Sequence, residues 1–150
     1  MIEQGLQQEI NMVMTEARNR RLEFVTVEHL LLALLNMDDV ISFLRSKRVN
    51  IDELRAELDQ YIDSHTPIIS EDAEIDIVPT VGFQRVLQRS VYQAQSAQKN
   101  SVNAMNVFVS IFSEKESHAV YMLKLNNISR LDVMEGISSK LAETPSEETK

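Results

Sequence analysis

The chain has 150 residues but no cysteine and no tryptophan, only 3 glycines and 3 prolines, and 5% aromatic residues. Without cysteine there are no disulfides and no thiolate metal sites, which is compatible with a reducing cytoplasm. So few Gly and Pro leave little punctuation for a strand-and-turn architecture. No apolar run approaches the roughly 20 residues needed to span a bilayer. The opening MIEQGLQQEI lacks the basic and apolar regions of a secretory signal. Basic charge is also scarce. With 15 Lys and Arg against 23 Asp and Glu, the net charge of -8 leaves no basic face to neutralise phosphates. The expectation is a cytoplasmic domain with protein partners, engaging neither nucleic acid nor membrane.

What the chain does contain is helix-forming. Leu, Met, Gln, Glu and Ala abound, and a hydrophobic content of 43% over this length is enough for a real core. The chain also repeats itself. Shifted by 77 residues, Leu6, Ile10, Met14 and Ala17 fall on Phe83, Leu87, Val91 and Ala94, each set spaced as the buried stripe of an amphipathic helix. The apolar block 30–35 falls on 107–112, Val25 on Val102, and Thr26 on Asn103, both N-cap residue types. Beyond residue 113 the shift becomes 79, implying two extra residues around Ser113–Ser117. Asn50 with Glu53 then matches Ser129 with Asp132, each approximating a capping box ahead of a helix.

These patterns predict an all-α domain of eight helices, near 4–20, 27–36, 39–47, 51–64, 81–98, 104–113, 117–126 and 130–141. The blocks 30–35 and 107–112 could also be short buried strands; the flanking caps favour helix. Repeat one spans 1–65 and repeat two 80–141. The acidic, proline-containing stretch 66–79 joins them, its Ile68, Ile69, Ile75, Ile77 and Val78 suggesting that it packs onto the domain. Residues 142–150 read as the start of a flexible linker. A solenoid would need about three or more repeats, so two copies fit a closed pseudo-twofold unit better.

Several blocks resemble one family. The stretch Glu23–Leu35, EFVTVEHLLLALL, looks like the hallmark of Clp N-domains, the N-terminal domains of ClpA-type AAA+ unfoldases. Phe83–Arg89, Phe112–Ser117 and Ile128–Val133 are similar to the ClpA branch. The resemblance covers about residues 1–141, in the expected order, and weakens at Asn36–Asp39 and through the acidic connector. It implies a pseudo-twofold eight-helix bundle set on a hexameric unfoldase. That bundle would dock the adaptor ClpS and substrate proteins for the ClpP peptidase. ClpP, ATP and Mg would be engaged by modules outside these residues. No GxxxxGK[ST] occurs, so no nucleotide site is expected here.

The resemblance also points to residues. Glu23 and Glu28 flank the loop between the first two helices and imply carboxylates facing the adaptor, although Glu28 could equally serve the dipole of its own helix. Thr80, Arg85 and Arg89 open the fifth helix; Thr80 could simply cap it. The arginines, four apart and off the apolar stripe, suit bidentate contact or a plain solvated face. Arg130 follows by the same analogy. Two other readings stand beside this one: a stand-alone helical scaffold, and a metal hydrolase using His29, His65 and His118. The hydrolase has no HExxH spacing behind it, and His29, matching Asn106, suits a hydrogen-bonded structural role.

Overall fold

A computed structural model describes residues 2–70 and 77–138. The expected linker 142–150 and Ile75 of the connector lie outside the described residues. The helices are α1 (Gln4–Asn19), α2 (Val27–Leu34), α3 (Asp38–Ser46), α4 (Ile51–His65), α5 (Val81–Ser96), α6 (Ala104–Ile111) and α7 (His118–Leu125). An eighth, α8, starts at residue 130 and runs to 138, the limit of the described residues. The 77-residue shift carries α1 onto α5 and α2 onto α6 end for end. The all-α, two-by-four reading therefore describes the fold.

The apolar helices α2 and α6 lie at the centre. Seven of the eight residues of α2 and seven of the eight of α6 are buried, which decides against the strand alternative for both blocks. They pack on each other, α1 covers α2, and α5 covers α6. α3 of repeat one packs on α6 of repeat two, while α7 packs on α2, so each repeat lends a helix to the other's core. Phe108 on α6 meets Phe43 on α3 edge to face at 6.0 Å. Gly136 on α8 makes room for that Phe43 ring, because a Cβ there would stand 2.7 Å from it.

Strand pairing, absent from the sequence reading, ties the halves together. β1 (Phe24–Val25) pairs in parallel with β2 (Val78–Pro79), so the lead-in to repeat two lies along the first inter-helix loop of repeat one. The same contact recurs in reverse: Ile2 makes a parallel bridge with Val102. Thr80 N–H donates to the Val25 carbonyl at 2.9 Å, and Glu3 N–H donates to the Val102 carbonyl at 2.9 Å. The connector packs as expected at Ile77, while Ile68 and Val78 are corrected to outward-facing, 70% and 47% exposed. Extended backbone alternates its side chains, so not every apolar residue of the connector can reach the core.

Helix ends repeat as faithfully as helix faces. Arg21, Arg48, Gln98 and Asn127 all have φ near +60°, and the shifts place Arg21 on Gln98 and Arg48 on Asn127. Each follows a helix in a Schellman motif, as where Arg48 N–H reaches the Arg45 carbonyl and Val49 N–H the Leu44 carbonyl, both at 3.0 Å. A side chain in this left-handed region costs roughly 1–2 kcal/mol, partly recovered if glycine replaces it. Arg48→Gly is therefore expected to raise unfolding free energy by about 0.5–1 kcal/mol in urea titration; unchanged or lower stability would contradict the cap assignment.

Candidate docking surface

The β1–β2 pair brings together two groups of residues that lie far apart in sequence. Glu23, just before β1, accepts from Val78 N–H through its carbonyl at 3.2 Å, and its own N–H donates to the Pro67 carbonyl at 2.8 Å. Its backbone is thus held between two arms of the connector while its half-buried side chain is left for other work. Directly after β2, Thr80 Oγ1 accepts from Phe83 N–H at 3.2 Å and caps α5. On the first turns of α5, Val81 is 70% exposed and Arg85 points outward. Val78 and Val81, three residues apart across the β2–α5 junction, are thus both exposed apolar side chains, which sequence periodicity could not show.

Arg85 and Arg89 do not present free forks. Both turn onto Glu114, a buried carboxylate in the six-residue loop 112–117 that connects α6 to α7. Arg85 donates to it twice, Nε to Oε2 at 2.8 Å and Nη2 to Oε1 at 2.6 Å, the bidentate geometry of a guanidinium–carboxylate pair. Arg89 adds Nη2 to Oε2 at 3.3 Å and Nη1 to the Ser110 carbonyl at 3.1 Å. The bond to Arg85 holds the Glu114 carboxyl below its ordinary value, against the opposing pull of burial. The repeat-two insertion places Glu114 here, and Gly82 lets it approach, since a Cβ would sit 3.2 Å from its Oε1. Glu114 carried no signal beyond its place in that insertion.

Glu28 moves from the surface list to the interior. It is 7% exposed, and its Oε2 accepts the Ala119 N–H at 3.0 Å across the repeat boundary. With Ser117 Oγ accepting from Val120 N–H at 3.2 Å, the carboxylate satisfies a second orphan donor at the positive end of α7. Glu28 thus stands in the first turn of its own helix and also serves the positive end of α7. Arg130, at the exposed start of α8, lines a different cleft with Lys99 and Met134, apart from Arg85.

The histidines serve packing and capping. His29 is the third helical residue of a capping box with Thr26, whose backbone N–H donates to Nδ1 at 3.0 Å, just as Asn106 serves Asn103 in α6. Burial, with the nearby Arg20 charge, lowers its pKa to about 4. His65 and His118 each stack on the Tyr61 ring, with centroids 4.1 Å and 3.9 Å away. Among the described residues no three His, Cys, Asp or Glu side chains converge to hold a metal ion. Among those residues too, no helix is long and apolar enough to cross a membrane.

Comparison with known proteins decides the family. Residues 1–126 match the Clp repeat (R) N-terminal domain. The chain belongs to the Clp N-domain family. A ClpA homolog protein from Fuscovulum blasticum is 36% identical over 142 residues, covering 94% of this chain and 18% of the relative. This Clp N-domain thus spans less than a fifth of that relative's length. The Hsp104 N-terminal domain from Candida albicans superposes with TM-score 0.75 at 12% identity, covering 90% of this chain and 87% of the other. A ClpV N-domain, solved in complex with a VipB peptide, gives TM-score 0.66 at 16% identity over 88% and 81%.

Two consequences follow for this Clp N-domain. Removing the Glu28 carboxylate strands the buried Ala119 N–H, so Glu28→Ala should lose about 1–3 kcal/mol in denaturant unfolding; a surface carboxylate would show almost none. Glu114 has a folded-state pKa below its ordinary 4.5, so its contribution is complete above that value and is lost as pH falls through the folded one. Between pH 6 and pH 3 the parent should therefore lose more stability than Glu114→Gln. Equal losses would show that the cluster contributes nothing.

Proposed function

We propose that this domain docks an adaptor of the ClpS type, together with client polypeptides, for a ClpA-type unfoldase that feeds ClpP. In this reading the domain itself is non-catalytic, and ATP and Mg²⁺ belong to modules outside these residues. The observation that carries the proposal is the β1–β2 junction. It bonds the backbone of half-buried Glu23 to the exposed Val78, three residues before the exposed Val81 at the start of α5. Apolar side chains rimmed by charge are the usual anatomy of a protein interface. The Glu114 clamp keeps Arg85 in one position, so little side-chain entropy remains to be lost on docking. Membership of the Clp N-domain family supports a docking role, and the peptide complex of a ClpV N-domain is in keeping with it.

Within this surface Val78 and Val81 supply apolar contact, Glu23 a carboxylate for a basic partner residue, and Thr80 and Arg89 hold the frame. Arg130 lies with another cleft and is assigned no part. Calorimetry with purified ClpS should give a 1:1 complex. Glu23→Lys or Val81→Asp should weaken it by about tenfold or more, while Arg130→Glu leaves it intact. A folded domain that produces no heat with ClpS would overturn the adaptor assignment.

A further inference from the structure

The cleft that holds Arg130, between α5, α6 and α8, is the repeat-two copy of a cleft in repeat one. The shifts of 77 and 79 residues carry Glu16 and Arg20 onto Gln93 and Ala97, and Arg55 and Asp59 onto Met134 and Ser138, each lining its own cleft. The copies differ in charge. Repeat one sets two carboxylates and two guanidiniums in the same walls, where opposite charges balance. In repeat two all four of those positions are uncharged, and the charged lining among the described residues is Lys99 and Arg130. These two cations stand where repeat one has the buried Leu22 and the partly buried Ile51. The repeat-two cleft thus lacks both acids of its counterpart and carries two bases of its own.

The fold uses neither base. The Lys99 and Arg130 side chains have no hydrogen-bond or ion-pair partner among the described residues. The amides in the lining have their oxygens engaged: Asn106 Oδ1 accepts the Asn103 N–H at 3.0 Å, and Gln93 Oε1 accepts from Ser110 Oγ at 3.4 Å. What remains of each is an NH₂ group, a donor. Val109, Met134 and Ile137 add an apolar wall. The cleft has a volume of about 300 Å³, at the small end of the roughly 300–1,000 Å³ range of ligand sites. That is the scale of a short peptide segment, not of a folded partner.

Charge complementarity selects the occupant. In a chain of net charge -8, two unpaired cations beside an apolar wall are a local inversion of the surface field, and they attract carboxylates. A basic segment meets like charge. A purely apolar segment covers the two cations without pairing them. A small inorganic anion pairs the cations and leaves the apolar wall in water. A segment with an apolar side chain next to a carboxylate satisfies both parts of the cleft at once.

We propose that the α5–α6–α8 cleft receives an acidic, apolar polypeptide segment, its apolar side chain on Val109 and Met134 and its carboxylate at Lys99 and Arg130. The cleft shares no residue with the β1–β2 surface, so ClpS binding there tests a different claim. The experiment is nitrogen–proton NMR of the 150-residue chain titrated with a blocked hexapeptide of alternating Leu and Asp. Saturable shifts are expected at Ala97, Asn106 and the Arg130 Nε–H, weakening as salt is added. Replacing every Asp of the peptide by Asn, or every Leu by Ser, should weaken binding at least about tenfold. Arg130→Glu, which should leave ClpS binding intact, should lose the peptide, and Lys99→Gln should weaken it severalfold. Both side chains are unpaired in the fold, so the variants should keep their other amide signals in place. No saturable shift, equal binding of the Asn peptide, or full binding by Arg130→Glu would overturn the proposal. Inorganic phosphate binding as tightly as the peptide would make this a plain anion site and overturn it too. So would peptide binding that appears only after Glu143, Glu147 and Glu148 are changed to Gln, which would assign the cleft to the chain's own last residues.

Discussion

The fold depends on a reciprocal exchange of short extended segments between its halves. The lead-in to repeat two runs beside residues 23–25 of repeat one, and the start of the chain runs beside Val102 of repeat two. Each lead-in thereby supplies a backbone donor to the other repeat's inter-helix loop immediately before its own helix begins. A four-helix unit whose entry strand belongs to its neighbour's surface is poorly placed to fold alone. The exchange of α3 and α7 between cores enforces the same dependence with apolar burial. Together they make two repeats one cooperative body.

On that symmetric frame, the buried polar chemistry differs between the repeats at a few positions. Glu28 and Met105 are equivalent positions, yet one feeds a carboxylate to the start of α7 and the other fills apolar space near Gly136. The longer α6–α7 loop introduces Glu114, which gathers Arg85 and Arg89 and has no counterpart in the shorter connection of repeat one. His29 and Asn106 perform the same capping task, but the imidazole leaves a buried Nε2 that has no hydrogen-bond partner among the described residues. Packing constrains the shared stripes, so polar differences are free to accumulate at positions beside them.

Most of the secondary structure was legible because burial on a helix leaves a periodic trace and caps use few residue types. The stripes from Leu6 to Ala17 and from Phe83 to Ala94, and the cap pair Asn50 and Ser129, lead directly to helices found in the structure. The four left-handed helix ends were not legible: Arg21, Arg48 and Gln98 carry no glycine-like signal, and only hydrogen-bond geometry reveals them. The two-residue strands were equally silent, being too short for period-two alternation.

The sequence by itself determined the class of fold, the doubling of the pattern and the place of the repeat-two insertion, since each follows from spacing along one chain. Only the tertiary structure decided which charges face outward. Burial and pairing are properties of neighbours distant in sequence: Glu28 finds its partner at Ala119, and Arg85 finds its own at Glu114. Glu23 lies next to Val78, with no side-chain partner among the described residues, because β1 and β2 meet there. A carboxylate at the start of a helix reads the same in sequence whether water or another helix lies beyond it, and that difference separates a docking residue from a structural one.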